Sequence, residues 1–479
     1  MREMHIVILG AGQVGSSVAE SLVSENNDIT IVDSNQDRLN QLQDRLDLQT
    51  VVGNAAHPSV LASAGLEDAD LLIAVTQSDQ TNLVACKLAH SVFNVPSRIA
   101  RLRASDFLDS AKLLSPDNFA VDYALCPERV VTEYILRLID FPEALQVLSF
   151  AAGRLILVAV SAYAGGLLVG SPIKEMRSHL PPAIDGRIAA IYRRGGAITP
   201  TGETIVEDGD EVFLLAAEEH IRTVMRELRR SLDPVQRVMI AGGGNIGLRV
   251  AQALESRCQV KLIESDRRRA EFVATILKSV LVLSGDATDE ELLQQEGIDE
   301  MDLFLALTND DEDNIMGASL AKRMGCKRVV ALINRRAYAE LVQGGPIDIA
   351  ISPAQVSIGT LLTYVRHGDV TQVHSLRRGA AEALEIVAHG DQKNSKVVGR
   401  RIGELPEIPG AFIGAVVRGL GTTDELNFFR LGMKKNVGQV MIAHKDLLIE
   451  TDDHVIVFCL DKKVVKQVEK LFAVGFHFF

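Results

Sequence analysis

The sequence predicts an α/β protein: two tandem Rossmann-like, doubly wound parallel sheets, each followed by a small α+β lobe. Three observations carry this expectation. The apolar run His5-Ile6-Val7-Ile8-Leu9 leads directly into Gly10-Ala11-Gly12-Gln13-Val14-Gly15 and then into a helix-like stretch from Ser16 to Val23. Strand-like and helix-like stretches alternate behind it, as in a parallel sheet with crossover helices. The whole pattern then returns at Gly242-Gly243-Gly244-Asn245-Ile246-Gly247, an offset of 232 positions (242 − 10).

In order, Ile29 to Val32 reads as a second strand ending at Asp33, 18 positions (33 − 15) past Gly15. Arg38 to Leu46 has helical spacing, Gln49 to Val52 is a third strand ending at Gly53, and His57 to Ala64 is a short helix. Leu71 to Val75 is apolar throughout and reads as a strand buried on both faces. A helix from Asn82 to Phe93 and a strand from Arg98 to Leu102 follow. From about Ala144 short strands replace the helices: Val147 to Phe150, Leu155 to Ser161 and Val212 to Ala216. Gly165-Gly166 reads as a hairpin turn between two strands, with further turns at Gly195-Gly196 and Asp208-Gly209. A helix from Glu219 to Arg230 and the polar link Ser231-Leu232-Asp233-Pro234 close the first half. The implied lobes are 1–143, 144–230, 236–365 and 370–479.

The second half repeats the landmarks. Its strand Val260 to Ile263 ends at Glu264 as the earlier one ends at Asp33. Gly285-Asp286-Ala287 copies Gly53-Asn54-Ala55, Asp302 to Thr308 copies Asp70 to Thr76, and Asp311 and Asn314 copy Asp79 and Asn82. So many features in one register mean an internal duplication. Its tail is also strand-rich: Val397 to Ile402 resembles Leu168 to Ile173, and Asp452 to Val457 resembles Gly209 to Leu214.

A G-x-G-x-x-G between strand and helix is the dinucleotide-binding fingerprint. Gly10 permits the tight turn, Gly12 lets backbone approach a pyrophosphate, and Gly15 lets helix and strand pack closely. The pyrophosphate would rest on the helix N-terminus, beside Ala11, Gln13 and Val14. Asp33 stands where a ribose-binding carboxylate belongs. Loops after the third and fourth strands complete the edge, adding Asn54, Ala55, Thr76 and Gln77. Arg101 reads either as a charge-assisted phosphate donor or as half of a surface ion pair. The copied edge offers Gly242 to Gly247, Glu264, Asp286 and Thr308, but Leu332 replaces the arginine, with Arg335 and Arg336 following. That leaves the second site weaker, selective for another nucleotide, or empty. Asp33 and Glu264 both suit a ribose diol better than a 2′-phosphate, favouring NAD-type or adenosine ligands over NADP.

Groups that would react a nucleotide are missing from the pattern. The histidines show no acid–base grouping, and no G-x-S-x-G, Walker lysine motif or metal-spaced His/Cys/carboxylate cluster occurs. His57 lies near the first edge, but Asp289 holds its place in the copy, which favours a capping or surface role. Cys86 and Cys326 lie in apolar stretches read as helical core. The chain therefore reads as a nucleotide binder and not an enzyme, the rival being an NAD-dependent oxidoreductase on a duplicated Rossmann domain.

A net charge of −13 disfavours nucleic acid, and a transcription repressor would need a basic helix-turn-helix that is not evident. The five cysteines form no C-x-x-C, which argues against a disulfide framework and for a reducing cytosol. No signal peptide is evident, and the uncharged run Leu155 to Gly170 is shorter than the roughly 20 residues that span a bilayer.

The segments ILGAGQVG, ENNDITIVD, FNVPSRIARLR, GGGNIG, NDDEDNIM, AKRMG, IDIAISP, LRRG and IGAVVRG resemble those of the cytosolic subunits of Trk-type potassium uptake systems. These are tandem regulator-of-K⁺-conductance (RCK, or KTN) proteins, and the resemblance runs essentially end to end. It implies paired RCK N-terminal and C-terminal lobes, and NAD(H) and ATP/ADP as ligands. It also implies a homo-oligomer, usually a tetramer, docked under a membrane-embedded potassium channel or transporter subunit that it gates. The chain would then be cytoplasmic, held peripherally at the inner face of the membrane by its partner. The dinucleotide contacts it implies fall on Gly10 to Val14, Asp33, Thr76, Gln77 and Arg101, and on Gly242 to Ile246 and Glu264. One stretch departs: Gly419 to Gln439 is longer than the family's short turn and carries Phe428-Phe429 and Lys434-Lys435. It reads as an exposed hairpin insertion or as a contact surface particular to this chain.

Overall fold

Uninterrupted apolar runs become central strands. Ile6, Val7, Ile8 and Leu9 are fully buried in β1 (His5–Leu9), as are all four residues of Leu71–Ala74. The computed structural model describes residues 4–23, 27–108, 110–229, 233–342, 345–365, 370–376, 381–420 and 438–474. Residues 421–437, most of the 419–439 insertion including Phe428, Phe429, Lys434 and Lys435, lie outside that set, as do residues 230–232.

The first sheet comprises β1, β2 (Asp28–Asp33), β3 (Gln49–Val52), β4 (Leu71–Ala74), β5 (Ser97–Arg101) and β6 (Tyr123–Leu125). All are parallel, in the order β3-β2-β1-β4-β5-β6. Helices Gln13–Val23, Gln36–Gln43, Pro58–Ser63 and Asp79–Ser91 make the crossovers. The strand order reverses between β1 and β4, so the loops leaving these two strands part there and open a crevice at the carboxyl edge. The helix Pro127–Asp140 then leads out of the sheet.

The first small lobe has β7 (Ala144–Phe150), β8 (Leu155–Ser161), β9 (Gly186–Arg193), β10 (Gly196–Ile198) and β11 (Glu211–Ala217), in the order β10-β9-β11-β8-β7. The second half repeats both sheets. Strands β12 (Arg237–Ala241), β13 (Gln259–Glu264), β14 (Leu281–Ser284), β15 (Leu303–Ala306), β16 (Arg328–Leu332) and β17 (Ile349–Ile351) take the order β14-β13-β12-β15-β16-β17. Strands β18 (Val370–Leu376), β19 (Ala381–Ala388), β20 (Ala411–Arg418), β21 (Gln439–Ile442) and β22 (Asp453–Cys459) take the order β18-β19-β22-β20-β21. Position for position, both repeat the first half, as the duplication predicts.

Several local expectations change. Gly165-Gly166 does not join two strands. It lies in a run of turns, and Gly166 is pressed so closely on the Leu228 backbone that a Cβ would stand 2.5 Å from its carbonyl carbon. Tertiary packing, not hairpin geometry, requires that glycine. The helix expected over 219–230 is shorter, Ile221–Met225. Leu155–Ser161 of the uncharged run is a buried strand, and among the described residues no helix is long and apolar enough to cross a membrane. Strand β6 and the helix Pro127–Asp140 had no sequence expectation.

The chain divides into two compact units that each join like with like. Met1–Glu133 groups with Gln236–Leu361, and Tyr134–Val235 with Leu362–Phe479. In the second unit the small lobes share one core, where Phe150, Leu157 and Phe213 of the first meet Leu376, Ala383 and Phe458 of the second. Each lobe also carries the same fork. Arg193 grips Asp210 through Nε and Nη2, both at 2.8 Å, and Arg418 grips Asp453 with the same atoms at the same distances. Both aspartates are fully buried. Burial pushes the Asp210 carboxyl up, but the Arg193 fork and the Glu207 amide outweigh it and hold it below the usual carboxylate range.

Where the lobes meet, His374 Nε2–H donates to the Ser149 carbonyl at 2.9 Å, and its ring stands edge-on to Phe150. Burial pushes this imidazole down to about 4, against a partial upward pull from the Ser149 bond. A histidine depressed in the folded state stabilises the fold above its ordinary value near 6.5, and this contribution is lost as pH falls from there towards 4. For a shift from near 6.5 to about 4, the loss between pH 7 and pH 5 is at most about 2 kcal/mol. Urea unfolding at the two pH values should therefore show a larger drop for the wild type than for His374→Leu, whose side chain matches the first lobe's residue at that place.

Candidate nucleotide-binding site

The three glycines after β1 have three distinct tasks. Gly10 has φ +104°, and a Cβ on it would lie 3.1 Å from the backbone of Thr76, in the loop after β4. A Cβ on Gly15 would stand 1.8 Å from the Gly10 carbonyl oxygen. Neither position tolerates a side chain without moving main chain. Gly12 is different: a Cβ there would meet nothing within 4 Å. The copy behaves alike, with Gly242 at φ +103°, Gly247 at 1.9 Å from the Gly242 oxygen, and Gly244 meeting nothing. Packing therefore explains the first and third glycines but not the second, whose bare backbone faces outward at a helix N-terminus. A diphosphate approaching that helix end fits this cradle.

Each carboxylate at the end of the second strand is held by two backbone amides. Ala11 N donates to Asp33 Oδ2 at 2.6 Å and Asn35 N to Oδ1 at 2.8 Å. In the copy, Gly243 N donates to Glu264 Oε2 at 2.7 Å and Asp266 N to Oε1 at 2.9 Å. Glutamate is one methylene longer, and the glycine loop compensates. Where the first half has Ala11 the second has Gly243, and a Cβ on Gly243 would sit 3.1 Å from Glu264 Oε2. Arg269 Nε also donates to the Gly243 carbonyl at 2.7 Å. The two acids thus stand in equivalent places through compensating changes, each with acceptor capacity left for a ribose diol.

The loop after β4 is pinned by a buried asparagine. Asn82 Oδ1 accepts from Thr76 N at 3.0 Å and Thr76 Oγ1 at 2.7 Å, while its Nδ2 donates to the Arg101 carbonyl at 2.8 Å. Asn314 repeats the clamp on Thr308 and the Leu332 carbonyl. Asp79 receives Arg103 N and Ala104 N, and Asp311 receives Asn334 N and Arg335 N. Thr76 and Thr308 therefore present their loops through these clamps, and Gln77 stays exposed, its carbonyl accepting from Arg103. Asn54 and Asp286 cap their own loops, accepting from Ala56 N and Thr288 N. The repeated Thr/Asn spacing was visible in the sequence, but its clamping role was not.

Arg101 is no surface residue. Its Nη2 lies 3.3 Å from Glu128 Oε1, with side chains only 18% and 15% exposed, and its Nε is buried without a hydrogen-bond partner among the described residues. Glu128, in the first turn of Pro127–Asp140, had not been singled out from the sequence. The position after Pro353 that corresponds to it is Ala354, so the second half carries neither charge of the pair and holds buried Leu332 and Ala354. The second edge is also more acidic, with Asp310, Glu312 and Asp313 where the first has Ser78, Gln80 and Thr81. Burial, then Asp310, Asp286 and Glu312, hold the Asp313 carboxyl above its usual range.

Other reactive types stand apart from the edge. His57 occupies the N-cap position of Pro58–Ser63 without a side-chain cap bond, whereas Asp289 caps Glu290–Gln295 with its side chain. Burial pushes the Cys86 thiol up to about 12 and the Cys326 thiol up to about 11, so both stay protonated at neutral pH. Cys326 lies just beyond the helix Asp311–Arg323 and not within it. Among the described residues no cluster of three or more His, Cys, Asp or Glu has a metal-holding arrangement.

Residues 6–124 and 238–353 match the TrkA-N domain, and residues 157–229 match the TrkA-C domain. The chain is 53% identical to the Trk system potassium uptake protein TrkA of Vibrio alginolyticus over 470 residues, 98% of each chain. It is 52% identical to the protein of that name from Halomonas elongata, over 99% of this chain and all of that one. Among solved structures, the GsuK channel bound to NAD is similar in fold, with a TM-score of 0.59 and 19% identity over 98% of this chain and 79% of that chain.

The glycine geometry separates folding from binding. Gly15→Ala should lose about 3 kcal/mol or more in urea unfolding because backbone must move. Gly12→Ala should unfold within about 2 °C of wild type and yet bind adenine nucleotides weakly by calorimetry, because its methyl group occupies the approach.

Proposed function

The chain belongs to the TrkA family of Trk system potassium uptake proteins, and from that premise we propose that it is a nucleotide-binding regulatory subunit that gates a membrane-embedded potassium channel or transporter subunit. The carrying observation is a carboxyl-edge site built twice, with an outward glycine backbone and an amide-held acid, and without an acid–base pair beside it among the described residues. Gly10 to Gly15 and Gly242 to Gly247 would hold a pyrophosphate on their helix ends. Asp33 and Glu264 would take the ribose hydroxyls, and the loops at Asn54, Ala55, Thr76 and Gln77, with Asp286 and Thr308 in the copy, would line the edge. NAD(H) is the ligand this donor set suits, with ATP or ADP as alternatives that use the same adenosine half. Bound there, a nucleotide acts as a signal and not as a reactant.

The halves are not equivalent in this reading. Arg101 gives the first site a positive charge for a terminal phosphate, whereas Leu332 and the acids at 310, 312 and 313 make the second edge less hospitable to one. Glu128 competes with such a phosphate for Arg101, and it sits at the head of the helix that leaves the sheet. A ligand that draws Arg101 away from Glu128 therefore acts differently from one that does not. Only unequal binding to two states of the assembly can bias it. The division into lobes at 1–143, 144–230, 236–365 and 370–479, a tetrameric homo-oligomer, and a cytoplasmic position under the membrane partner complete the proposal.

Calorimetry with NADH and with ATP, on wild type and Asp33→Ala, tests the first-half assignment. Affinity for at least one ligand should fall about tenfold or more, about 1.4 kcal/mol. Unchanged affinity for both would show that the first-half site is misplaced.

A further inference from the structure

The two small lobes are copies, and the surface they share has the reciprocity of an isologous dimer. Gln146 and Gln372 each follow a bulge at the start of their strand, and they pair with Ala159 and Glu385 at matching register. Gln146 Nε2 donates to the Ser375 carbonyl at 3.0 Å, and Gln372 donates back to the Ser149 carbonyl at 2.8 Å with its amide turned to suit its neighbours. In backbone outline, a surface doubled by duplication matches a second copy of itself as well as its neighbour in the chain, so only side chains can tell the two apart.

Three of the differences between the copies bear on polar contacts across this pseudo-twofold. Arg187 and Phe412 are equivalent, each six residues before the fork arginine, and they meet one another. The Arg187 guanidinium lies 5.2 Å from the Phe412 ring centroid, and its Nη1 donates to Ala443 O at 3.0 Å and Ile413 O at 3.3 Å. Phe412 is stacked in turn on Phe458. Leu148 corresponds to His374, which donates to the Ser149 carbonyl of the opposite lobe. Ala159 corresponds to Glu385, whose Oε2 accepts from Ala151 N of the opposite lobe at 2.7 Å while His454 Nδ1 lies 2.6 Å from its Oε1.

We propose that these differences make the pairing heterotypic: the first small lobe accepts the second and rejects another copy of itself, so that the halves of one chain are locked together. Two first lobes set face to face would oppose one Arg187 guanidinium to another in a largely dry site and lose the ring beneath it. They would also leave the Ala151 amide without its acceptor, because Ala159 has none to offer. Leu148 would supply no donor in place of His374. One repulsion is added and three attractions are removed, which is how a surface rejects a near-identical partner.

The test transposes the unequal pair within the full chain. Phe412→Arg builds into one molecule the Arg–Arg opposition that two first lobes would meet, and it should lower the Tm by about 5 °C or more. The double variant Arg187→Phe with Phe412→Arg restores one cation and one ring across the axis, and it should recover at least half of that loss. If Phe412→Arg alone does not fold, a double variant that does fold supports the proposal equally. An unchanged Tm for Phe412→Arg overturns the proposal, and so does a double variant that recovers less than half of the loss, or one that does not fold.

Discussion

A single close contact sets the geometry of each half: the approach of the third glycine of the loop to the carbonyl of the first. With 1.8 Å between a would-be Gly15 Cβ and the Gly10 oxygen, and 1.9 Å in the copy, only glycine lets the helix start this close to its strand. That approach fixes the helix N-terminus over the carboxyl edge and brings Ala11 N and Gly243 N onto the acids of the neighbouring strand. The Thr76–Asn82 clamp closes the crevice from the other side of the strand reversal. The helix end over the carboxyl edge and the amide-held acid beside it both follow from that backbone contact.

Duplication copied this device, and divergence then worked on the parts that contact does not constrain. Glu264 stands opposite Gly243 where Asp33 stands opposite Ala11, and the longer acid lies where a Cβ on Gly243 would crowd it at 3.1 Å. Arg101 and Glu128 correspond to Leu332 and Ala354 in the copy, so neither half leaves a lone charge in this mostly buried place, where it would be costly. In the small lobes, the Arg193–Asp210 fork survives unchanged as Arg418–Asp453, while the surface between the lobes carries the differences. The fork is kept in both copies, as are the reciprocal Gln146 and Gln372 contacts, while Arg187, Leu148 and Ala159 differ from Phe412, His374 and Glu385.

The sequence disclosed what depends on local pattern. Buried strands showed as unbroken apolar runs, the glycine loop showed its spacing, and the constant offset exposed both repeats, including the matched stretches before Ile173 and Ile402. It did not disclose β6, whose three residues Tyr123–Leu125 are too few and too incompletely buried to show a period. With β6 went Glu128, the partner of Arg101 from 27 residues away, so the sequence left that arginine open between a phosphate donor and half of a surface ion pair. Gly165-Gly166 looked like a hairpin because its real cause, the Leu228 backbone, lies far along the chain. The Arg187–Phe412 stack was equally invisible, since neither residue has a pattern around it that announces the other.

Potassium flux tests the central claim most directly, with the chain added to vesicles that hold a Trk-type membrane subunit and then titrated with NADH or ATP. The account predicts that flux with the wild-type chain changes on adding at least one nucleotide, and that Asp33→Ala, still bound to the vesicles, loses that response. Flux that responds to both nucleotides equally with the wild type and with Asp33→Ala would contradict it.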